Sequence, residues 1–151
     1  QREVFRRQLS LASRRGCPAV LHVKGMEEEA GEMIRQYPGR YLVHWYSDMK
    51  WLELYLEQDC YFTVGPDVAA NPAVRQVAKW ADLSRLMVET DGFSAVQWAL
   101  GEDISLSGLR GVLENSLRQI AAIKGVDEAE AAGRIEENFL RFAGKAFRRE
   151  G

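Results

Sequence analysis

Four times in succession, a stretch with apolar residues at helical spacing gives way, through a few turn-forming residues, to a short apolar run of strand type. No other feature restricts the fold of this chain so severely. Val4, Phe5, Leu9 and Ala12 make the first helical stripe, Gly16 closes it, and a strand follows over Ala19 to Val23. Ala30, Met33, Ile34 and Tyr37 make the second, Pro38-Gly39 ends it, and Arg40 to Trp45 is the next strand. Ser47 or Asp48 can cap a helix carrying Met49, Leu52, Tyr55 and Leu56, which leads to the strand Tyr61 to Val64. Asn71-Pro72 reads as an N-cap with proline at the first helical position, opening a helix with Val74, Val77, Ala78 and Ala81 inward before the strand Leu86 to Glu89. Strands that are each reached through a helix pair in parallel rather than as hairpins. The expectation is therefore an α/β fold of about four parallel strands with outer helices.

After Asp91 the sequence predicts an irregular stretch from Gly92 to Leu106. A helix with Leu109, Val112, Leu113 and Ile120 on one face follows, ended by Gly125. Asp127 with Glu130 resembles a capping box for a last helix whose Ile135, Phe139 and Phe142 face inward before Gly144. The 151 residues, 46% hydrophobic and without a low-complexity linker, form a single region, 1–151.

The strand ends carry the chemistry. Ala19-Val20-Leu21 runs into His22, Tyr41-Leu42-Val43 runs into His44, and Leu86-Met87-Val88 runs into Glu89-Thr90-Asp91. Alternation along each strand places Val20 with His22, Leu42 with His44, and Met87 with Glu89 and Asp91 on common inward faces. A carboxylate that closes a buried strand costs several kcal/mol to desolvate unless it is paired or bound to a metal. One histidine in such a place would as readily hydrogen-bond within the core. Here both of the two histidines in the chain occupy equivalent strand ends, with an aspartate at a third. Two imidazoles and a carboxylate suit a divalent ion such as zinc, manganese, nickel or iron, which activates a water for hydrolysis. A dinucleotide-binding sheet would want G-x-G-x-x-G after its first strand, and His22-Val23-Lys24-Gly25 supplies one glycine. Polar residues at the C-terminal ends of several strands favour a barrel instead.

Composition narrows the remaining classes. A net charge of -2 gives no global bias toward nucleic acid, and the basic pairs Arg6-Arg7, Arg14-Arg15 and Arg148-Arg149 fall on helix faces or ends as solvated surface. Cys17 and Cys60 lack C-x-x-C spacing, which points to reduced thiols and a cytoplasmic setting. No apolar run approaches a membrane span, and Gln1-Arg2-Glu3 does not read as a signal peptide.

Gln1-x-x-Val4-Phe5 with Gln8-Leu9, Pro18-Ala19-Val20-Leu21-His22, Val43-His44-Trp45-Tyr46-Ser47, Glu89-Thr90-Asp91, and Asn138 followed by Phe142 together resemble the TatD family of metal-dependent hydrolases. The resemblance covers nearly the whole chain. It implies a TIM-like (β/α)8 barrel, of which this chain is the C-terminal half, and a one- or two-metal site using magnesium or another divalent ion. It also implies hydrolysis of phosphodiester bonds, with deoxyribonuclease action on DNA as the familiar example. On this likeness His22 and His44 ligate one metal, and Asp91 binds the other and handles the proton of the attacking water. Glu89 points inward one layer deeper, where its position suits either orienting a ligand or a polar role within the core. Lys24 stands where arginine is frequent, and holds a phosphate oxygen as a point charge without a bidentate fork.

Trp45-Tyr46-Ser47-Asp48 replaces the usual Cys-Phe-Ser-Gly, and Gly92-Phe93-Ser94 replaces Ala-Pro-Tyr, so the chain reads as a divergent branch. Trp45, Tyr46, Phe93 and Trp98 are candidate stacking platforms for a base or sugar. The His-x-His strand and the bridging glutamate of the family are absent from these residues, which implies a missing N-terminal half and an inactive isolated fragment. The inner sheet face would then be wet, and either that half or a second copy of the chain would cover it. Strand-end His and Asp also serve amide and lactone hydrolases of the wider amidohydrolase type, and a non-catalytic interaction module is the third alternative.

Overall fold

A computed structural model describes residues 1–144; the basic pair Arg148-Arg149 lies outside the described residues. Helix α1 (Arg2–Arg15) ends where Gly16, at φ 63°, turns its N–H back to the carbonyls of Ala12 and Ser13. Then β1 (Ala19–Leu21), α2 (Glu27–Ile34), β2 (Tyr41–Val43), α3 (Leu52–Leu56), β3 (Tyr61–Val64), α4 (Pro72–Trp80) and β4 (Leu86–Val88) alternate in chain order. The strands form one parallel sheet in the order β1-β2-β3-β4. Each connection thus carries the chain forward by one strand, the winding of a barrel wall.

Register assigns the faces. Val20 pairs with Leu42 and Leu42 with Tyr61, while Leu21 pairs with Val43, Val43 with Phe62 and Phe62 with Leu86. The second set packs with Ile34, Leu52, Tyr55, Val74 and Val77 from the helices into the main core. Asn71 caps α4 as its sequence predicts, accepting from the Ala73 N–H at 3.0 Å ahead of Pro72.

Three expectations are corrected. Helix α3 starts at Leu52 after a left-handed Trp51 (φ 64°), not at Ser47 or Asp48; Asp48 instead closes a turn by accepting from the Lys50 N–H. The stretch expected to be irregular contains helix α5 (Phe93–Leu100), entered through Gly92 at φ 96° and left through Gly101 at φ 67°. Only Val96 of it is buried, so its apolar periodicity is too weak to read. The inner face is not uniformly wet: Leu42, Tyr61 and Met87 are buried in a second cluster with Phe142, and Val20 alone of these face residues is 61% exposed. Phe142 comes from the last helix, α7 (Glu128–Ala143), which follows α6 (Leu109–Lys124). Asn138, fully buried, ties α7 to the start of β4 by donating to the carbonyls of Leu83 and Leu86 at 2.8 and 2.7 Å. Asp127 caps α7 through the Glu130 N–H at 2.7 Å, and Phe139, although 42% exposed, lines the groove over the inner sheet face with Phe142.

Among the described residues, no helix is long and apolar enough to cross a membrane. Both cysteines are free, and burial pushes the Cys60 thiol up to about 12, so it stays protonated at physiological pH.

Candidate metal centre

The C-terminal ends of β1, β2 and β4 meet over the inner face around a cavity of about 460 Å³, lined in part by His22, Lys24, His44, Trp45, Asp67, Asp91 and Trp98. At its base, His44 Nδ1 lies 2.5 Å from Glu89 Oε2, and His44 Nε2 lies 3.4 Å from Asp91 Oδ1. At 2.5 Å an unprotonated Nδ1 would oppose its lone pair to the carboxylate, so the Nδ1–H tautomer fits and Nε2 keeps its lone pair toward Asp91.

The other oxygen of Glu89 accepts from the Thr63 hydroxyl, and Thr63 Oγ1 in turn accepts from the Trp45 backbone N–H at 3.1 Å. Burial raises the Glu89 pKa; the Thr63 hydrogen bond and the His44 charge pull against it.

The donor set fits a divalent ion. Ligand atoms of His44, Glu89 and Asp91 all lie within 4.8 Å of one another. Two ligands at about 2.0–2.1 Å on a tetrahedral ion stand about 3.3 Å apart, and the Nε2 to Oδ1 separation is 3.4 Å. The same separation is long for a good hydrogen bond. A carboxylate behind a histidine whose other nitrogen faces a second carboxylate is the usual support of a metal-binding imidazole.

Backbone strain gathers at the same place. Trp45 (φ 40°), immediately after His44, and Asp91 (φ 53°) are left-handed, a conformation tolerable for aspartate and unusual for tryptophan. Trp45 lies two residues past the end of β2 and Asp91 three past the end of β4, so both fall in the turns that leave the strand ends.

The family model described as TatD related DNase matches residues 1–144. The chain belongs to the TatD-related DNase family. A TatD-family hydrolase from Entamoeba histolytica has the same fold: TM-score 0.67 at 12% identity, covering 91% of this chain and 55% of that one. This TatD-family chain therefore spans about half the length of that structure. A search of the curated proteins found no match.

Each sequence-predicted site residue of this TatD-family chain can now be placed. His44 and Asp91 come together as expected, and Glu89 stands directly behind His44. His22 is exposed beside that group, its ring centroid 5.4 Å from that of His44, and is not one of the residues whose ligand atoms cluster. Lys24 places its ammonium 5.6 Å from the centroid of the Trp98 ring. Trp45 lines the cavity with its indole N–H donated to Asp67 at 2.8 Å. Tyr46 also borders the cavity but is 2% exposed, its ring against Tyr55 and its hydroxyl bonded to the Lys50 carbonyl; it forms floor rather than an open stacking face. Phe93 opens α5 and is half-buried.

Thr63 and Asp67 escaped the sequence reading. Alternation from Tyr61 puts Thr63 on the inner face, and Asp67, just past the Gly65-Pro66 end of β3, is a strand-end carboxylate like Asp91. Both signals were readable as position, but neither residue type draws notice alone.

Proposed function

We propose that the full protein hydrolyses phosphodiester bonds with a metal-activated water. The observation that carries this reading is the His44 Nε2 to Asp91 Oδ1 separation of 3.4 Å, with Glu89 2.5 Å behind Nδ1. His44 and Asp91 would hold a divalent ion, with manganese, zinc, nickel and magnesium all compatible with nitrogen and oxygen donors, and His22 is near enough to join by a side-chain rotation. Such an ion supplies Lewis-acid activation of water and charge for the phosphoryl oxygens.

The chain's own residues do the rest. Glu89 and Thr63 hold the imidazole in one tautomer and one orientation. The Asp91 side chain is 47% exposed, so a carboxylate oxygen remains accessible to take the proton of the attacking water. The water oxygen bonds to phosphorus, the bond from phosphorus to the leaving ester oxygen breaks, and that oxygen is protonated from solvent. Lys24, at the cavity mouth, offers a point charge to a non-bridging oxygen.

The test is turnover of a small base-free phosphodiester by the full protein loaded with manganese. Asp91→Asn should lower the rate by about 10²–10⁴-fold. Equal turnover by the two would overturn the assignment of Asp91. Preferential turnover of an amide or lactone lacking phosphate would move the reading to the wider amidohydrolase class.

A further inference from the structure

Asp67 is a carboxylate buried without a cation. It is 8% exposed, and among the described residues its side chain meets only neutral donors, the Trp45 indole N–H and the Asn71 amide, each at 2.8 Å. Taking a carboxylate out of water without an opposite charge is costly, and a neutral side chain of the same shape would fill the space at less cost. What the charge adds is acceptor strength, since hydrogen bonds to an ionised oxygen are roughly twice as strong as neutral ones. That strength falls on a strained residue. Trp45 is left-handed at φ 40°, unfavourable for a tryptophan, and its ring is seated so closely on Gly65 that a Cβ there would stand 2.3 Å away. The bonds continue in both directions. Asn71 is itself held as the N-cap of α4, its oxygen accepting from the Ala73 N–H at 3.0 Å. From Trp45 the backbone N–H donates to Thr63 at 3.1 Å, the Thr63 hydroxyl donates to Glu89, and Glu89 faces His44 Nδ1 at 2.5 Å. That backbone N–H belongs to the peptide joining His44 to Trp45. An unbroken chain of polar contacts thus runs from the start of a helix to the imidazole of the metal-ligating group.

We infer that Asp67 is a positioning residue for the metal centre, acting on His44 through Trp45. The inference rests on the reading of His44 and Asp91 as metal ligands. Asp67 holds the indole, the indole keeps Trp45 in its left-handed turn, and that turn presents the backbone N–H to Thr63. With that N–H in place, Thr63 Oγ1 has an acceptor site filled and its own proton directed to Glu89, which favours Nδ1–H and leaves Nε2 free toward Asp91. Without the anchor Trp45 relaxes toward the ordinary β region, the His44–Trp45 peptide rotates, and the imidazole is no longer held before an ion arrives. Both oxygens of Asp67 are already engaged, so it acts by position and touches no reacting atom.

The experiment is Asp67→Asn in the full protein. One amide oxygen with an N–H beside it cannot serve both donors, and Asn71 cannot turn its own oxygen to help without giving up Ala73. The reciprocal pair, Asp67→Asn with Asn71→Asp, restores every bond. The new amide oxygen accepts from the indole, its N–H donates to the new carboxylate, and that carboxylate caps α4 as well as asparagine does. In the metal-free protein the Trp45 indole N–H, assigned by NMR from its absence in Trp45→Phe, should exchange slowly with solvent in wild type, faster in Asp67→Asn, and slowly again in the pair. Manganese affinity, read by titration calorimetry, should fall about tenfold in Asp67→Asn and return most of the way in the pair. An Asp67→Asn protein that frees the indole yet binds manganese as wild type does would leave Asp67 a structural role only and overturn the inference. So would an affinity that falls while the indole stays slow, or a pair that restores the indole without the affinity. Where Asp67→Asn alone does not fold, the pair decides, wild-type affinity upholding the chain of bonds and lost affinity overturning it. Turnover of the base-free phosphodiester reads the hydrolytic proposal separately. Wild type that binds manganese without cleaving the ester overturns that proposal and leaves the affinity test of Asp67 standing; wild type that binds no manganese overturns both.

Discussion

His44 presents two nitrogens, and the fold assigns them different tasks: Nδ1 faces Glu89 at 2.5 Å and Nε2 faces Asp91 at 3.4 Å. The first contact sets the tautomer that makes the second useful. Glu89→Gln keeps the shape and the acceptor for Thr63, but it can turn an amide N–H toward Nδ1. The imidazole proton is then driven to Nε2, and the lone pair facing Asp91 is lost. Metal affinity, read by titration calorimetry on the full protein, should fall about 10–100-fold. The metal-free variant should melt no lower than wild type, because the exchange removes a carboxylate that burial already disfavours. Unchanged affinity would show that Glu89 does not control the ligand.

The elements matter through the turns that end them. Gly65, directly after β3, has an extended backbone that any residue adopts (φ -74°), so its requirement is one of space. A Cβ there would stand 2.3 Å from the Trp45 indole. Trp45 has no free direction to retreat, being bonded at its backbone to Thr63 and at its ring to Asp67. Gly65→Ala should therefore destabilise by about 1–3 kcal/mol, or roughly 5 °C in melting temperature. The double variant with Trp45→Phe, whose smaller ring leaves room for the methyl, should recover part of that loss. Additive losses in the thermal melts would indicate that the close approach is relieved elsewhere.

At the scale of the molecule, the inner sheet face is covered unevenly. Phe142 and its helix shelter the β2 to β4 side, while Val20 on β1 is 61% exposed. A parallel sheet is ordinarily buried on both faces, and β1 ends the sheet as an edge strand. Burying Val20 by itself contributes about 1.5–3 kcal/mol. We expect residues 1–151 expressed alone to associate or to bind an apolar dye, and Val20→Asp to suppress both. Light scattering with dye titration checks this. A monomer that binds no dye would show that the last helix already covers enough of the face.

The alternation of helical stripes and short apolar runs determined the parallel sheet, and the strand-end residues His22, His44, Glu89 and Asp91 were legible because polar groups following buried runs are costly without a partner. Their order along the chain, with the surrounding words, was enough to show the family. The sequence could not say which of them touch. Pairing of His44 with Glu89 and Asp91, with His22 to the side, is decided by how the tertiary structure brings the strand ends together, where Trp45 and Asp91 are left-handed. Those backbone angles are imposed by packing, since local preference for a tryptophan runs the other way. The same is true of α5 and of Phe142 over the inner face. A helix with one buried residue, and a side chain reaching a sheet far earlier in the chain, are products of tertiary contact that no local period records.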